Sequence, residues 1–439
     1  MATAPLTTDA RPASIGQRQL WLMDHYQGAH GALNCPIILR LTGALDLDAL
    51  GRALDAVTAR HEALRTTFTG RGRRLAREVH PALHLPVSIV DLTGTQDPDL
   101  AAADELRVEL RTRIDVTTEP VRVTLWRVGS QVHLLCVNQH HLVTDAWSCA
   151  MLSRELGEIY GGRAEALPAV GWQFSDFVAW QQATLTGDDL HRHQDYWRAQ
   201  LDGTRVPALP APAARAPAAE RTIDFARVAV DAEVAAGTAR VARENRTTPF
   251  AVLLTAFYVL LHEYTGQTDL VVATLLANRS RPETRNTVGY LANMVLLRTP
   301  FPEAGTAQDL LRATRKTVIG ALVHQELPYQ MLPLDTIRAD AVRDVVFQVF
   351  AEATHQTEFG AANGLRADPV DPPGGLGNRF DLDCVVMPDR GSGGYEVVLG
   401  YAQDRFGREW ATTFLARYAA IAEVLARAPE ERLLRGQQV

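Results

Sequence analysis

Lysine is almost missing from this chain: Lys316 is the only one, and every other of the 44 basic residues is arginine. The arginines are scattered, form no basic stripe, and are outnumbered by 51 acidic residues to a net charge of −7, so nucleic acid is not an expected ligand. Cysteine is scarce as well. Cys35, Cys136, Cys149 and Cys384 lie far apart with no C-x-x-C spacing, which excludes a disulfide framework and a zinc knuckle. Long hydrophobic runs are lacking: the longest, Ala251 to Leu261, is too short to cross a bilayer, and Met1 to Ser14 has no apolar stretch of the secretory type. A cytoplasmic protein without membrane attachment is therefore expected. What is present is globular: 46% hydrophobic and 22% charged residues leave ample apolar surface to bury. The 439 residues are about three times the usual single-domain length.

Strand and helix signals alternate along the first third. The spacing predicts a strand at Pro36 to Leu41, a helix carrying Leu47, Leu50, Leu54 and Val57, and strands at Leu64 to Thr69 and Val87 to Val90. A helix over Leu100 to Ile114 precedes a hairpin, Val121 to Val128 and Val132 to Asn138, turning at Gly129-Ser130. The second arm runs into His140, and a new helix starts at Asp145. Four prolines, Pro207, Pro210, Pro212 and Pro217, make Val206 to Ala219 an extended connector. The domain boundary is placed slightly upstream of it, giving 1–178 and 179–439. The same grammar then repeats, with helices from Ala232 and Pro249, strands at Thr222 to Val230 and Leu270 to Leu276, and a long helix from Ala307. Strands near Val345, Leu382 and Tyr395 and a closing helix at Glu409 to Leu425 complete two α/β halves with mixed sheets. Gly360 to Gly377 shows no periodicity and reads as a functional or mobile loop.

The stretch His140-His141-Leu142-Val143-Thr144-Asp145-Ala146-Trp147-Ser148 concentrates two imidazoles, a carboxylate and a hydroxyl at a strand-to-helix junction. An imidazole, with an ordinary pKa of about 6.5, exchanges protons at neutral pH and suits a general base. The same residues also read as a structural His-His pair. Metal binding is a third reading, but His-His-x-x-x-Asp supplies no third ligand at zinc-site spacing.

Taken with other motifs, this stretch resembles the H-H-x-x-x-D-G hallmark of the condensation domains of nonribosomal peptide synthetases. Ser14 to Trp21 resembles the opening S-x-x-Q-x-R-x-W with its arginine shifted, and Arg60 to Phe68 is a full R-H-E-x-L-R-T-x-F. Phe174 to Trp180 resembles Y-x-D-F-x-x-W, with Tyr196-Trp197 following. Val288 to Asn293 resembles V-G-x-F-V-N, and His324 to Tyr329 resembles H-Q-D-x-P-F. Six motifs in order, from Ser14 to Tyr329, carry the resemblance.

The resemblance implies an α/β fold of two chloramphenicol-acetyltransferase-like lobes in a V-shaped pseudo-dimer, with the active site along a tunnel between them. It assigns 1–178 to the lobe with the double histidine and 179–439, floor and latch segments included, to the other. His141 matches the catalytic histidine and His140 the supporting one. Asp145 matches a structural aspartate that pairs with an arginine beyond V-G-x-F-V-N, for which Arg298 is the candidate. Ala146 stands in the place of the hallmark glycine, strained if that position needs positive φ and crowding a channel if it needs space. No metal or bound cofactor is implied: the donor is an acyl thioester on the phosphopantetheine arm of a peptidyl or acyl carrier protein, and the acceptor an amine or hydroxyl, carrier-bound or free. A monomer is expected, with carriers acting in trans unless the chain was cut from a longer synthetase.

Three rival readings stand beside this one. An epimerase domain shares the fold and double histidine, but the intact R-H-E-x-L-R-T-x-F and opening motifs favour condensation. A non-catalytic recruitment module generally lacks the second histidine, which is present here. A plant-type acyltransferase would carry D-F-G-W-G, which is absent. His61 and Arg65 read as packing residues, Phe177, Trp180, Tyr196 and Trp197 as core, Asn293 as a loop-backbone partner, and Asn278 to Asn286 as a floor segment or a solvated turn.

Overall fold

The computed structural model describes residues 11–26, 33–210, 222–302, 306–332, 345–350, 364–372, 380–389 and 391–428. Most of the proline-rich connector and part of the Gly360 to Gly377 segment lie outside the described residues. The chain divides into two compact units: Met1–Thr184 with Ala277–Ala292 and Thr354–Gly377, and Leu185–Leu276 with Asn293–Ala353 and Asn378–Val439.

In the first unit, β1 (Arg11–Pro12) leads into α1 (Ile15–Tyr26), β2 (Asn34–Thr42) and α2 (Leu47–Arg60). The α2 helix forms where expected because Asp46 caps it through the Ala49 N–H, and Leu50, Ala53, Leu54 and Val57 share its buried face. After β3 (Thr66–Thr69), β4 (Ala76–Val79), β5 (Val87–Asp91) and α3 (Pro98–Arg111) come β6 (Val121–Gly129) and β7 (Val132–His140). Then follow α4 (Ala146–Tyr160) and α5 (Phe174–Thr184). Strand β7 pairs antiparallel with both β2 and β6, which places its last residue, His140, at the end of a central strand, opposite Asn34. Strand β5 pairs parallel to β6, so the sheet is mixed.

The second unit opens with α6 (Gly187–Leu201), β8 (Ile223–Val230), α7 (Ala232–Glu244) and α8 (Pro249–Thr265). Helix α8 starts at a proline capped by Thr248, ends at Gly266 in the left-handed region (φ 68°), and is buried all round from Ala251 to Leu261. This is the apolar run too short for a bilayer, and no helix among the described residues is long and apolar enough to cross a membrane. Strands β9 (Asp269–Leu276), β10 (Asn293–Pro300), β11 (Val345–Val349), β13 (Leu382–Pro388) and β14 (Tyr395–Ala402) join β8 in a six-stranded sheet, covered by α9 (Ala307–Val323) and α10 (Arg408–Arg427). Strand β11 lies parallel to β9 and β13 and the other pairs are antiparallel, so this sheet is mixed too.

Two expectations about boundaries are corrected. A cut between Val178 and Ala179 would fall inside α5, whose hydrogen-bonded turns cannot be split between units; the units part after Thr184. Ala277–Ala292, which includes the floor candidate Asn278 to Asn286, and Thr354–Gly377 were expected in the second lobe and belong to the first unit. Within the latter, β12 (Arg366–Pro369), in what looked like an aperiodic loop, adds to the open edge of β2, with Arg366 opposite Thr42. Phe347 on β11 is fully buried and stacks on Phe257 at 4.9 Å. Phe347→Ala is expected to cost the second unit about 3–5 kcal/mol, read as a lowered denaturant midpoint.

Candidate active site

Strand β7 delivers His140 into the interior and then leaves the sheet. Its imidazole is 1% exposed, and its Nδ1 accepts the Leu142 N–H at 3.1 Å. A backbone N–H can only donate, so Nδ1 holds a lone pair and the proton sits on Nε2, which lies 3.9 Å from the Asp24 carboxylate on α1. Arg113 donates to the same Asp24 oxygen at 2.7 Å. Gln17, also on α1, donates to the Leu142 carbonyl at 2.8 Å.

His141 has the opposite tautomer. Its ring is half-buried, and its Nδ1 lies 2.8 Å from the Thr144 carbonyl, which can only accept. The proton is therefore on Nδ1, and in the neutral imidazole it is Nε2 that carries the lone pair. The backbone N–H of His141 is fixed to the Leu33 carbonyl at 2.8 Å, and buried Leu142 and Val143 anchor the turn that follows.

Asp145 is buried and caps α4, accepting the Ser148 N–H at 2.8 Å. Arg279, whose side chain is 3% exposed, grips both carboxylate oxygens at 2.9 and 3.0 Å. The N–H groups of Leu291 and Ala292 add bonds of 3.1 Å each. Burial by itself would raise the Asp145 pKa; the Arg279 charge and these hydrogen bonds outweigh it and hold the group below the ordinary carboxylate value. The Ser148 hydroxyl completes the knot, placed to donate to the Gly289 carbonyl at 3.1 Å and to accept from the Gly289 N–H and Arg279.

Arg298 is thus not the partner of Asp145. It sits on β10 and grips Asp269 at 2.6 Å on the neighbouring strand β9, while Arg279 follows the end of β9. Asn278, in the left-handed region at φ 55°, turns the chain there so that Arg279 meets Asp145. Spacing alone presents Asn278 to Asn286 only as a floor or a solvated turn. Arg279 is one of three arginines in that segment, with Arg281 and Arg285, and its place directly behind the turn-forming Asn278 is what distinguishes it. Ala146 is the first residue of α4, is exposed, and is not among the residues with positive φ, so the alanine is unstrained.

The remaining sequence assignments divide cleanly. His61 contacts buried Glu155 at 2.7 Å and Arg65 bonds the His80 carbonyl, so both serve packing. Phe177 and Trp197 are buried and Trp180 and Tyr196 half-buried. The Asn293 amide donates to the Gln325 and Leu327 carbonyls and accepts the Tyr329 N–H, satisfying loop backbone. Trp147 was not singled out: it is 49% exposed, its Nε1 donates to the Arg285 carbonyl, and the Arg279 guanidinium lies 5.8 Å from its ring. No group of three metal-ligating side chains occurs among the described residues.

Comparison with known proteins places the arrangement. The family model for the condensation domain matches residues 8–436. The chain belongs to the condensation-domain family. It is 29% identical to a linear gramicidin synthase of Brevibacillus parabrevis over 435 residues, 96% of this chain and 8% of that protein. It is 32% identical to the phosphinothricin tripeptide synthetase PhsB of Streptomyces viridochromogenes over 419 residues, 93% of this chain and 35% of that protein. The condensation domain therefore spans a small fraction of the curated relatives it matches. Among solved structures, the SgcC5 protein of Streptomyces globisporus superposes with a TM-score of 0.78 at 26% identity, covering 96% of this chain and 100% of that one.

Removing Arg279 from this condensation domain leaves the Asp145 carboxylate buried without its counter-charge. Arg279→Ala is expected to destabilise the first unit by about 3–5 kcal/mol, whereas Arg298→Ala, in a partly exposed pair, costs about 1 kcal/mol or less. Comparative thermal melts decide between them. A carboxylate held below its ordinary value contributes stability that is present above that value and is lost as pH falls through the folded-state value. The melting difference between wild type and Asp145→Asn should accordingly be full at neutral pH and shrink below the ordinary value of 3.8.

Proposed function

We propose that this chain transfers an acyl or aminoacyl group from a carrier-protein thioester to an amine or hydroxyl acceptor, forming an amide or an ester. His141 is the catalytic group. The observation that carries the reading is the His141 tautomer: with Nδ1–H bonded to the Thr144 carbonyl at 2.8 Å, Nε2 is left as the basic nitrogen of the pair. The acceptor attacks the thioester carbonyl, its nitrogen or oxygen forming the new bond to carbon. The proton it sheds passes to Nε2, the tetrahedral intermediate collapses with cleavage of the C–S bond, and the thiol leaves with a proton returned from the imidazolium. An α-amine, with a pKa near about 8, is already partly neutral at pH 7 and chiefly needs positioning. A hydroxyl depends on the base throughout.

The first-turn N–H groups of Ala146 and Trp147 are the donors on offer to the developing oxyanion, because Asp145 caps only Ser148. His140, held by Leu142 and facing Asp24, supports the turn. The partners in this reading are a peptidyl or acyl carrier protein bearing the donor on phosphopantetheine and a carrier-bound or free acceptor, and no cofactor beyond that arm is required.

His141→Ala is expected to lower turnover about 10²- to 10⁴-fold with an unchanged melting temperature, measured by mass spectrometry of products from acylated carriers with amine and alcohol acceptors. Retained turnover in that variant would overturn the assignment. Deuterium appearing at the donor α-carbon, without transfer, would mark an epimerase instead.

A further inference from the structure

The motif carboxylate does not hold the imidazole directly. Among the described residues, the five donors to Asp145 come from Arg279, Ser148, Leu291 and Ala292, and His141 is not one of them. What the network holds is the turn around Tyr290. Ser148 grips Gly289 on one side of that residue, and Asp145 grips Leu291 and Ala292 on the other. The Tyr290 ring stands edge-to-face against the His141 imidazole, with centroids 5.1 Å apart and planes at 81°.

Two glycines shape the surroundings of the ring. A Cβ on Gly289, at φ +150°, would lie 2.2 Å from Phe174, so only glycine makes this turn. A Cβ on Gly16 of α1 would lie 2.7 Å from Tyr290 Cε1, so the tyrosine rests directly on the helix backbone. In the V-G-x-F-V-N pattern Tyr290 occupies the unspecified position, to which the motif assigns no role.

We propose that Tyr290 is the positioning residue through which the Asp145–Arg279–Ser148 network acts on His141. The Thr144 carbonyl fixes one ring nitrogen, about which the imidazole could still tilt, and the tyrosine ring fixes the plane. Nε2 is thereby aimed in one direction. A ring pair of this geometry biases an orientation about 2- to 12-fold. The proposal rests on His141 as the catalytic base, and its test separates the two.

In the full chain, Tyr290→Ala is expected to lower kcat about tenfold, with KM within about twofold and the melting temperature unchanged, while Tyr290→Phe retains activity. Ser148→Ala should lower kcat in the wild-type background and cause no further fall when combined with Tyr290→Ala. Gly16→Ala, which pushes on the ring from outside the network, should behave in the same way and serves if Ser148→Ala melts early. Additive effects, or a phenylalanine variant as impaired as the alanine one, overturn the proposal. An activity-independent arm is NMR of the His141 ring protons: a ring-current shift present in wild type and Tyr290→Phe and lost in Tyr290→Ala supports the contact. If wild type turns over no carrier substrate, the catalytic reading falls by itself, and an unshifted His141 ring in wild type overturns the positioning contact independently.

Discussion

A single buried charge organises the candidate site. Withdrawing the Asp145 carboxylate from water costs several kcal/mol, a penalty offset only by good geometry and complete hydrogen bonding. The structure meets this with a two-pronged arginine, a capped helix start and two successive backbone N–H groups. Each donor ties down a different stretch of chain. The cap sets where α4 begins, the arginine docks the segment after β9, and the two amides fix the turn that carries Tyr290. One carboxylate thus makes a strand-to-helix junction and a distant segment, separated by more than a hundred residues of sequence, into parts of the same unit.

The two histidines divide their work by tautomer. His140 turns its lone pair to the backbone, and its buried Nε2 faces the Asp24 carboxylate at 3.9 Å. His141 turns its Nδ1 proton to the backbone, so that in the neutral ring Nε2 carries the lone pair. Adjacent residues reach opposite states because the turn after β7 offers a donor, the Leu142 N–H, to one ring and an acceptor, the Thr144 carbonyl, to the other. No charge is needed to set either state. Ala146 in place of the hallmark glycine disturbs none of this, since a helix's first position is as open to alanine as to glycine.

The local grammar of the chain was readable because it depends on near neighbours. Helix α2 announces itself through Leu47, Leu50, Leu54 and Val57 at helical spacing. The β6–β7 hairpin does so through two apolar runs flanking a short turn, expected at Gly129-Ser130 and found one residue later at Ser130-Gln131 because Gly129 still pairs with Val132. Strand β12 was not readable, since its four residues become a strand only by meeting the open edge of β2, more than three hundred positions away. Arg298 and Arg279 show the same limit. Both are arginines near the right motif, and only the turn at Asn278 decides which of them faces Asp145 and which pairs across β9 and β10.

By itself the sequence determined the family and the α/β class of both halves, and it singled out the nine residues from His140 to Ser148 as the candidate site, because these follow from residue types at fixed short spacing. The tertiary structure alone decided the partner of the buried aspartate, the unit to which the 277–292 and 354–377 segments belong, and the tyrosine that meets the His141 ring. Those are choices among chemically equivalent candidates, and an ion pair or a ring contact is selected by distance in space, which spacing along the chain does not encode.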